Sequence, residues 1–348
     1  MTGQKHIYES VENAITLLSE RCRSIEKVCS TLMNLVANEN CLVPSSRFLR
    51  NDICVRFARD LRNIDTDAYD RLVKGLDEDS AVTVSRILAR IQGLSGASDG
   101  ELHDLMSPWE KTEYRDMLKK FSHARVKLAE DCYAWGKYKL PTKHFEPGTL
   151  FFRHGISKLA YPGRCADKDI IDAGAFIGDS ALILSEYTER SVHSFEPVSG
   201  NYENMLKTLA MNKLRNVIPV RSALGEEKGV MSLVANGSAS HAGKPGKGQE
   251  TEEVRVCRLD DYVEEHSLTV GLIKADLEGG EQGFLRGARK TIQRDRPALI
   301  ISIYHTVADF FTIKCMLEAW KLGYAFQVYS PPGSILLETV LIAECRDS

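Results

Sequence analysis

Apolar positions early in the chain fall at helical spacing. From Val11 they run Val11, Ile15, Leu18, Cys22, Ile25, Cys29, Leu32 and Val36, in steps of four and three that place them on one stripe. The seven-residue repeat also fits a short coiled-coil seam, so the stripe predicts either a bundle helix or a dimer helix. Further helices are predicted over about 48–61 and 81–91, the latter carried by Val84, Ile87, Leu88 and Ile91 and stopping near Gly93 and Gly96. A fourth opens at Ser107-Pro108-Trp109-Glu110: a capping serine, a proline at the first helical position and a glutamate three residues on. It is expected to reach about Cys132. Residues 1–140 therefore read as helix throughout, with no motif of chemistry.

After Pro141 the texture changes to short β-rich runs alternating with amphipathic segments. Strands are predicted at 169–173, 192–196, 217–222, 271–276, 298–304, 325–329 and 339–343, and helices at 179–189, 199–212, 281–293 and 307–322. Such alternation implies a mostly parallel sheet with helices on both faces. Ser330-Pro331-Pro332-Gly333-Ser334 is too short for a crossover helix, so the last two strands are expected to pair antiparallel. The fold class expected is α/β: a Rossmann-like sheet, mostly parallel with an antiparallel terminal hairpin, as in class I methyltransferases. An all-α region precedes it, and the domains are 1–140 and 141–348. One tract interrupts the pattern. ANGSASHAGKPGKGQET, between 231–234 and 253–258, holds four glycines and no large apolar side chain. It reads as a long hairpin tip, either a surface loop or a substrate loop carrying Ser238, His241 and Lys244.

Composition narrows the function. The 348 residues carry 45 Lys+Arg against 48 Asp+Glu, a net charge of -3, which counts against a protein held by nucleic-acid phosphates. No stretch of about 18 apolar residues appears, so no membrane span is expected. The N-terminus has no apolar secretory core. Nine cysteines, an odd count with no CxxC pair, read as reduced thiols of a cytoplasmic protein rather than a zinc site.

The strongest chemical signal is Ile170-Ile171-Asp172-Ala173-Gly174-Ala175-Phe176-Ile177-Gly178-Asp179-Ser180, which follows a strand and opens a helix. Glycine at 174 lets the backbone turn sharply against a ligand. Glu196 ends the second strand and could accept both hydroxyls of a ribose. A pyrophosphate fingerprint would place its first glycine where Asp172 stands. An acid there repels pyrophosphate and suits the ammonium of a methionine moiety, so S-adenosylmethionine is expected rather than NAD. An unrelated βαβ unit with close-packing glycines is the structural alternative.

The chain from about Thr149 to Ala343 resembles the FkbM family of S-adenosylmethionine-dependent methyltransferases. The stretches that carry the likeness are IIDAGAFIGDSALIL, HSFEPVSGNYENMLKTLAMN, VGLIKADLEGGEQGFLRGA and ISIYHTVADFF. The resemblance implies an O-methyltransferase. It implies a cofactor loop of Asp172, Gly174, Ala175, Phe176, Gly178 and Asp179 with Ser180 at the helix start. Glu196 would take the ribose beside Pro197 and Asn201, with Ser222, Ala223 and Leu224 near the adenine and Asp276 and Glu278 beside the transferable methyl group. The favoured acceptor is a hydroxyl of a sugar, glycan or small metabolite, which the near-neutral charge suits.

The protein must orient that hydroxyl and remove its proton. Asp276, Glu278 and His305 stand at carboxyl ends of strands, where open α/β sheets bind ligands. His305 or Asp276 is the expected base, with Glu278 holding a sugar hydroxyl or the base itself. Each has a plainer alternative: an ammonium partner, a helix cap or a strand-end histidine. The three could also hold a divalent ion, a reading not favoured because no further ligand cluster accompanies them. Two other functions compete. One is a helical interaction protein, dimeric through its N-terminal helices, that keeps a cofactor-binding scaffold. The other is a nucleic-acid methyltransferase, disfavoured by charge and by the lack of an Asn/Asp-Pro-Pro-Tyr-type motif.

Overall fold

The computed structural model describes residues 52–94, 107–122, 125–234, 241–242 and 251–345. The predicted stripe at 11–36, with Cys22 and Cys29, lies outside the described residues, as do Ser238 and Lys244. The chain forms two compact units. The first takes Met1–Asp116 with Ile303–Met316 and Phe326–Thr339; the second takes Met117–Ser302, Leu317–Ala325 and Val340–Ser348.

In the first unit, helices α1 (Asp52–Asp60), α2 (Ala68–Val73), α3 (Glu78–Leu94) and α4 (Pro108–Met117) follow in order. Val84, Ile87, Leu88 and Ile91 of α3 recur at helical spacing, and all four are buried. Phe57 of α1 packs edge-on against Phe310 with ring centres 5.4 Å apart. The start of α4 is the expected capping box. The Ser107 N–H donates to the Glu110 carboxylate at 2.8 Å, and the Glu110 N–H donates to Ser107 Oγ at 3.2 Å. Glu110 also pairs with Arg90 at 2.8 Å, both side chains being buried.

Helix does not continue to Cys132 as the sequence predicts. After Ser122 come three antiparallel strands, β1 (Arg125–Ala129), β2 (Cys132–Trp135) and β3 (Tyr138–Leu140). Asp131 and Gly136, at φ 53° and 55°, occupy the two turns, and left-handed residues there stop a helix.

One seven-stranded sheet follows, and all of it except Phe326–Tyr329 belongs to the second unit. Its strands are β4 (Asp169–Ala173), β5 (Val192–Phe195), β6 (Val217–Val220), β11 (Val270–Ala275), β12 (Ala298–Ser302), β13 (Tyr324–Tyr329) and β14 (Val340–Cys345). The order is β13-β14-β12-β11-β4-β5-β6. The five strands from β12 to β6 run parallel, and β14 returns antiparallel to β12. β4 and β11 are buried along their whole lengths, which explains their mostly apolar sequences; Asp169, Asp172 and Lys274 are the charged exceptions. A smaller sheet joins β7 (Ala223–Leu224), β8 (Gly229–Val234), β9 (His241–Ala242) and β10 (Thr251–Cys257), and β8 pairs antiparallel with β10 as the hairpin reading expects.

The helices of this unit are α5 (Pro147–Leu150), α6 (Asp179–Leu184), α7 (Ser199–Asn212), α8 (Leu259–Glu265), α9 (Glu281–Gly287) and α10 (Arg289–Asp295); α11 (Val307–Ala319) belongs to the first unit as far as Met316. α8 was not foreseen, and the single helix expected at 281–293 breaks at Ala288 into two. Among the described residues no helix is long and apolar enough to cross a membrane. The six described cysteines are all free thiols.

Candidate active site

The loop from β4 to α6 is held by backbone geometry. Gly174 sits at φ 79°, and a Cβ there would lie 1.9 Å from the carbonyl oxygen of Asp276. No other residue fits that close crossing of two strand ends. Phe176 also adopts a left-handed conformation, at φ 46°. Gly178 does so at φ 81°, against Met205. The Gly174 and Ala175 N–H groups both donate to the Phe195 carbonyl, at 3.1 and 2.9 Å, tying the loop to the end of β5.

Asp172 is wholly buried. Ser180 Oγ donates to its carboxylate at 2.8 Å and Ser194 Oγ at 3.2 Å, and the Lys274 ammonium stands 3.3 Å away. The carboxylate expected to meet an ammonium group thus meets one from β11. Lys274 Nζ also donates to the Gly174 carbonyl at 2.7 Å, so one side chain braces both the strand and its glycine turn. Burial pushes the Lys274 ammonium down, but the carboxylates of Asp172, Asp276 and Asp179 outweigh it and hold the pKa above the usual lysine value.

Glu196, 5% exposed, directly follows β5. It accepts the Phe176 N–H at 3.0 Å, the Val198 N–H at 2.9 Å and Asn201 Nδ2 at 3.2 Å. Burial nonetheless pushes its carboxyl up to about 7, against those three donors. Pro197 is half-buried beside it. Ser222, Ala223 and Leu224 are buried past the end of β6, where Ala223 and Leu224 pair with β10 and so start the second sheet. Ser222 Oγ donates to the Arg255 carbonyl at 3.1 Å.

Asp179 opens α6 almost fully buried, and burial pushes its carboxyl up to about 6 although Lys274 pulls it down. Asp276 and Glu278 follow β11, both half-buried, with Glu278 left-handed at φ 52°. Glu281, entirely buried, accepts the Leu277 N–H at 2.7 Å and the Gly279 N–H at 3.0 Å, fixing the turn that carries both acids. The residues from Asp172 to Glu281 therefore gather at the carboxyl ends of β4, β5 and β11. His305 belongs to the first unit, where it is buried three residues after β12 with its ring 4.0 Å from that of Tyr304.

Sequence reasoning gave no role to Lys274, Glu281 or Glu146. Lys274 had a legible signal, a lone charge inside the apolar run Val270–Ala275. Glu146 precedes α5, and burial with the Asp179 and Asp276 carboxylates pushes its carboxyl up to about 7. His154, 8% exposed, is kept neutral by burial and by Lys274, with a pKa pushed down to about 4.

Residues 172–326 match the methyltransferase FkbM domain. The chain carries an FkbM methyltransferase domain. This is a domain of S-adenosylmethionine-dependent methyltransferases. A curated relative, "Methyltransferase 1" of Beauveria bassiana (strain ARSEF 2860), is 26% identical over 189 residues, covering 47% of this chain and 75% of that protein. The crystal structure of methyltransferase FkbM from Methylobacillus flagellatus KT aligns with a TM-score of 0.52 at 20% identity, over 82% of this chain. That alignment spans 60% of the length of the bacterial protein. It bears on the fold, and the mostly parallel seven-stranded sheet seen here is the class I methyltransferase fold expected from the sequence.

Proposed function

We propose that the chain is a cytoplasmic S-adenosylmethionine-dependent O-methyltransferase acting on a hydroxyl of a sugar, glycan or small metabolite. The observation that carries this reading is the charge of the site. Asp172, Asp179, Glu196 and Asp276 gather at the strand ends with Lys274 as their buried cation. Such a surplus of carboxylate opposes a pyrophosphate and suits a cationic ligand. S-adenosylmethionine, with its sulfonium and ammonium, supplies an electrophilic methyl group. The loop Asp172–Ser180 would hold its amino-acid part, Glu196 with Pro197 and Asn201 its ribose, and Ser222, Ala223 and Leu224 its adenine.

The chain's own task is to orient the acceptor hydroxyl and take its proton. In this reading Asp276 or His305 takes it and Glu278 holds a neighbouring hydroxyl or orients the base; a positioned base is worth about 10²–10⁴-fold. The reading uses no metal, and 1–140 would serve as an acceptor cap or an oligomerisation region beside the catalytic 141–348. The test is calorimetry with S-adenosylhomocysteine. Micromolar binding by the wild type and its loss in Glu196→Ala are expected, and a wild type that binds nothing removes the reading.

A further inference from the structure

A cleft lies at the opposite end of the sheet from the candidate active site. Lys168 stands just before β4, Gly271 near the start of β11 and Glu344 near the end of β14, which runs antiparallel, so the three line it from the amino ends of the parallel strands. Arg164 and Arg296 line the same cleft. The five residues of β4 put about 15 Å between it and the glycine loop. Glycine at 271 lets its walls close up: a Cβ there would meet Lys168 Cβ at 2.8 Å and Cys165 Cα at 2.9 Å. Arg164 is fixed on one wall. Its guanidinium lies 4.0 Å from the centre of the Tyr161 ring and donates to the Cys345 carbonyl at 2.6 Å.

The charges of the cleft do not cancel. Glu344 is the carboxylate in its lining, and its two oxygens accept the Ala160 N–H at 2.6 Å and the Tyr161 N–H at 3.0 Å. The acids next in sequence to the two outer cations are taken elsewhere. Asp169 meets Arg190 at 3.3 Å, and Asp295 meets Arg294 at 2.6 Å and accepts the Val270 N–H at 2.8 Å. Among the described residues neither Lys168 nor Arg296 forms an ion pair. The cleft encloses about 20 Å³, room for one oxygen atom of an anion. Lys168 is half-buried and Arg296 exposed, so both can meet the rest of that anion at the mouth. A phosphoryl dianion fits this arrangement. It matches two cations in charge, and it can bury one oxygen while offering others to an ammonium and a guanidinium. A carboxylate brings one charge and two oxygens. We propose that this cleft is a phosphoryl-anion site, separate from the donor site, in which Lys168 and Arg296 hold the anion. The phosphoryl group is that of free phosphate or of a phosphate monoester whose ester arm points to solvent.

The experiment is calorimetry on the full chain with three probes: inorganic phosphate, glycerol 3-phosphate and acetate. At least one phosphoryl probe is expected to bind with a Kd below about 1 mM and acetate far more weakly. The tighter of the two phosphoryl probes identifies the source. Lys168→Gln and Arg296→Gln should each weaken that probe about tenfold, the loss of one charge-assisted contact. Arg59→Gln, an exposed charge of the first unit, should leave it within about twofold. Unchanged binding in either cleft variant, an equal loss in Arg59→Gln, or acetate as tight as phosphate overturns the proposal. Should neither cleft variant fold, a wild type that binds no phosphoryl probe at about 10 mM still overturns it. S-adenosylhomocysteine binding is expected to stay the same in both cleft variants, so this proposal and the donor reading fail separately.

Discussion

Gly174 shows how a single atom can decide this site. Its φ of 79° costs an L-residue about 1–2 kcal/mol, and the added Cβ would overlap the Asp276 carbonyl at 1.9 Å. Gly174→Ala must therefore move either the glycine loop or the turn carrying Asp276 and Glu278. A loss of more than about 2 kcal/mol in urea unfolding is expected, together with loss of S-adenosylhomocysteine binding. Glu196 makes the second prediction at this scale. Its carboxyl sits at about 7 in the folded chain, against about 4.3 when unfolded. The folded chain holds that proton more tightly, so the stability it contributes is present below pH ~4 and lost as pH rises through ~7. Asp179, pushed up to about 6, acts in the same direction. The melting temperature of the free protein should fall between pH 5 and pH 8. Glu196→Gln should flatten that fall, by on the order of 2 kcal/mol. A slope unchanged in the variant would assign the effect to other groups.

At the scale of elements, local grammar was legible where a short rule governs. The alternation after Pro141 gave β4 and α7 to the residue, and Ser107-Pro108-Trp109-Glu110 gave the start of α4. The β1–β3 sheet was not legible, because Val126 and Leu128 are exposed and short strands without an apolar face leave little period to read. Long-range partners were hidden too. Nothing near Asp172 in sequence announces Lys274, and nothing near Glu110 announces Arg90. That last pair carries a prediction. Glu110 and Arg90 are 2% and 5% exposed at the side chain, and Arg86 stands 3.5 Å from the same carboxylate. Burial raises the Glu110 pKa, but the two arginines and the Ser107 N–H outweigh it and hold the group below the usual carboxylate range. Glu110→Ala would leave Arg90 and Arg86 buried without that carboxylate and remove the Ser107 N–H half of the capping box at the same stroke. A loss of about 3–5 kcal/mol is expected in chemical denaturation, and a loss under about 1 kcal/mol would show that water reaches the arginines.

At the scale of the molecule, the compact unit of the N-terminal helices also takes two segments from late in the chain. Ile303–Met316 and Phe326–Thr339 cluster with the N-terminal helices, although the FkbM domain match, 172–326, runs through the first of them. Phe310 is 1% exposed because Phe57 lies against it, and Lys314 is 1% exposed with its ammonium donating to the Lys74 carbonyl at 2.6 Å. The Val328 N–H donates to Ser80 Oγ at 2.9 Å. Cutting the chain at residue 140 would expose Phe310, leave a buried lysine without its acceptor and free an N–H of β13. The fragment 141–348 should therefore melt well below the full chain or fail to stay soluble, and its mass would say nothing about a dimer helix. Point substitution separates the two questions. Phe57→Ala should cost about 3–5 kcal/mol by leaving a cavity beside Phe310. Polar replacements of Ile15, Leu18 and Ile25 on the N-terminal stripe should halve the particle mass if that stripe joins two copies. They should leave both mass and melting temperature unchanged if it joins nothing. A wild-type mass equal to one chain, measured first by light scattering, would remove the dimer helix before any variant is made.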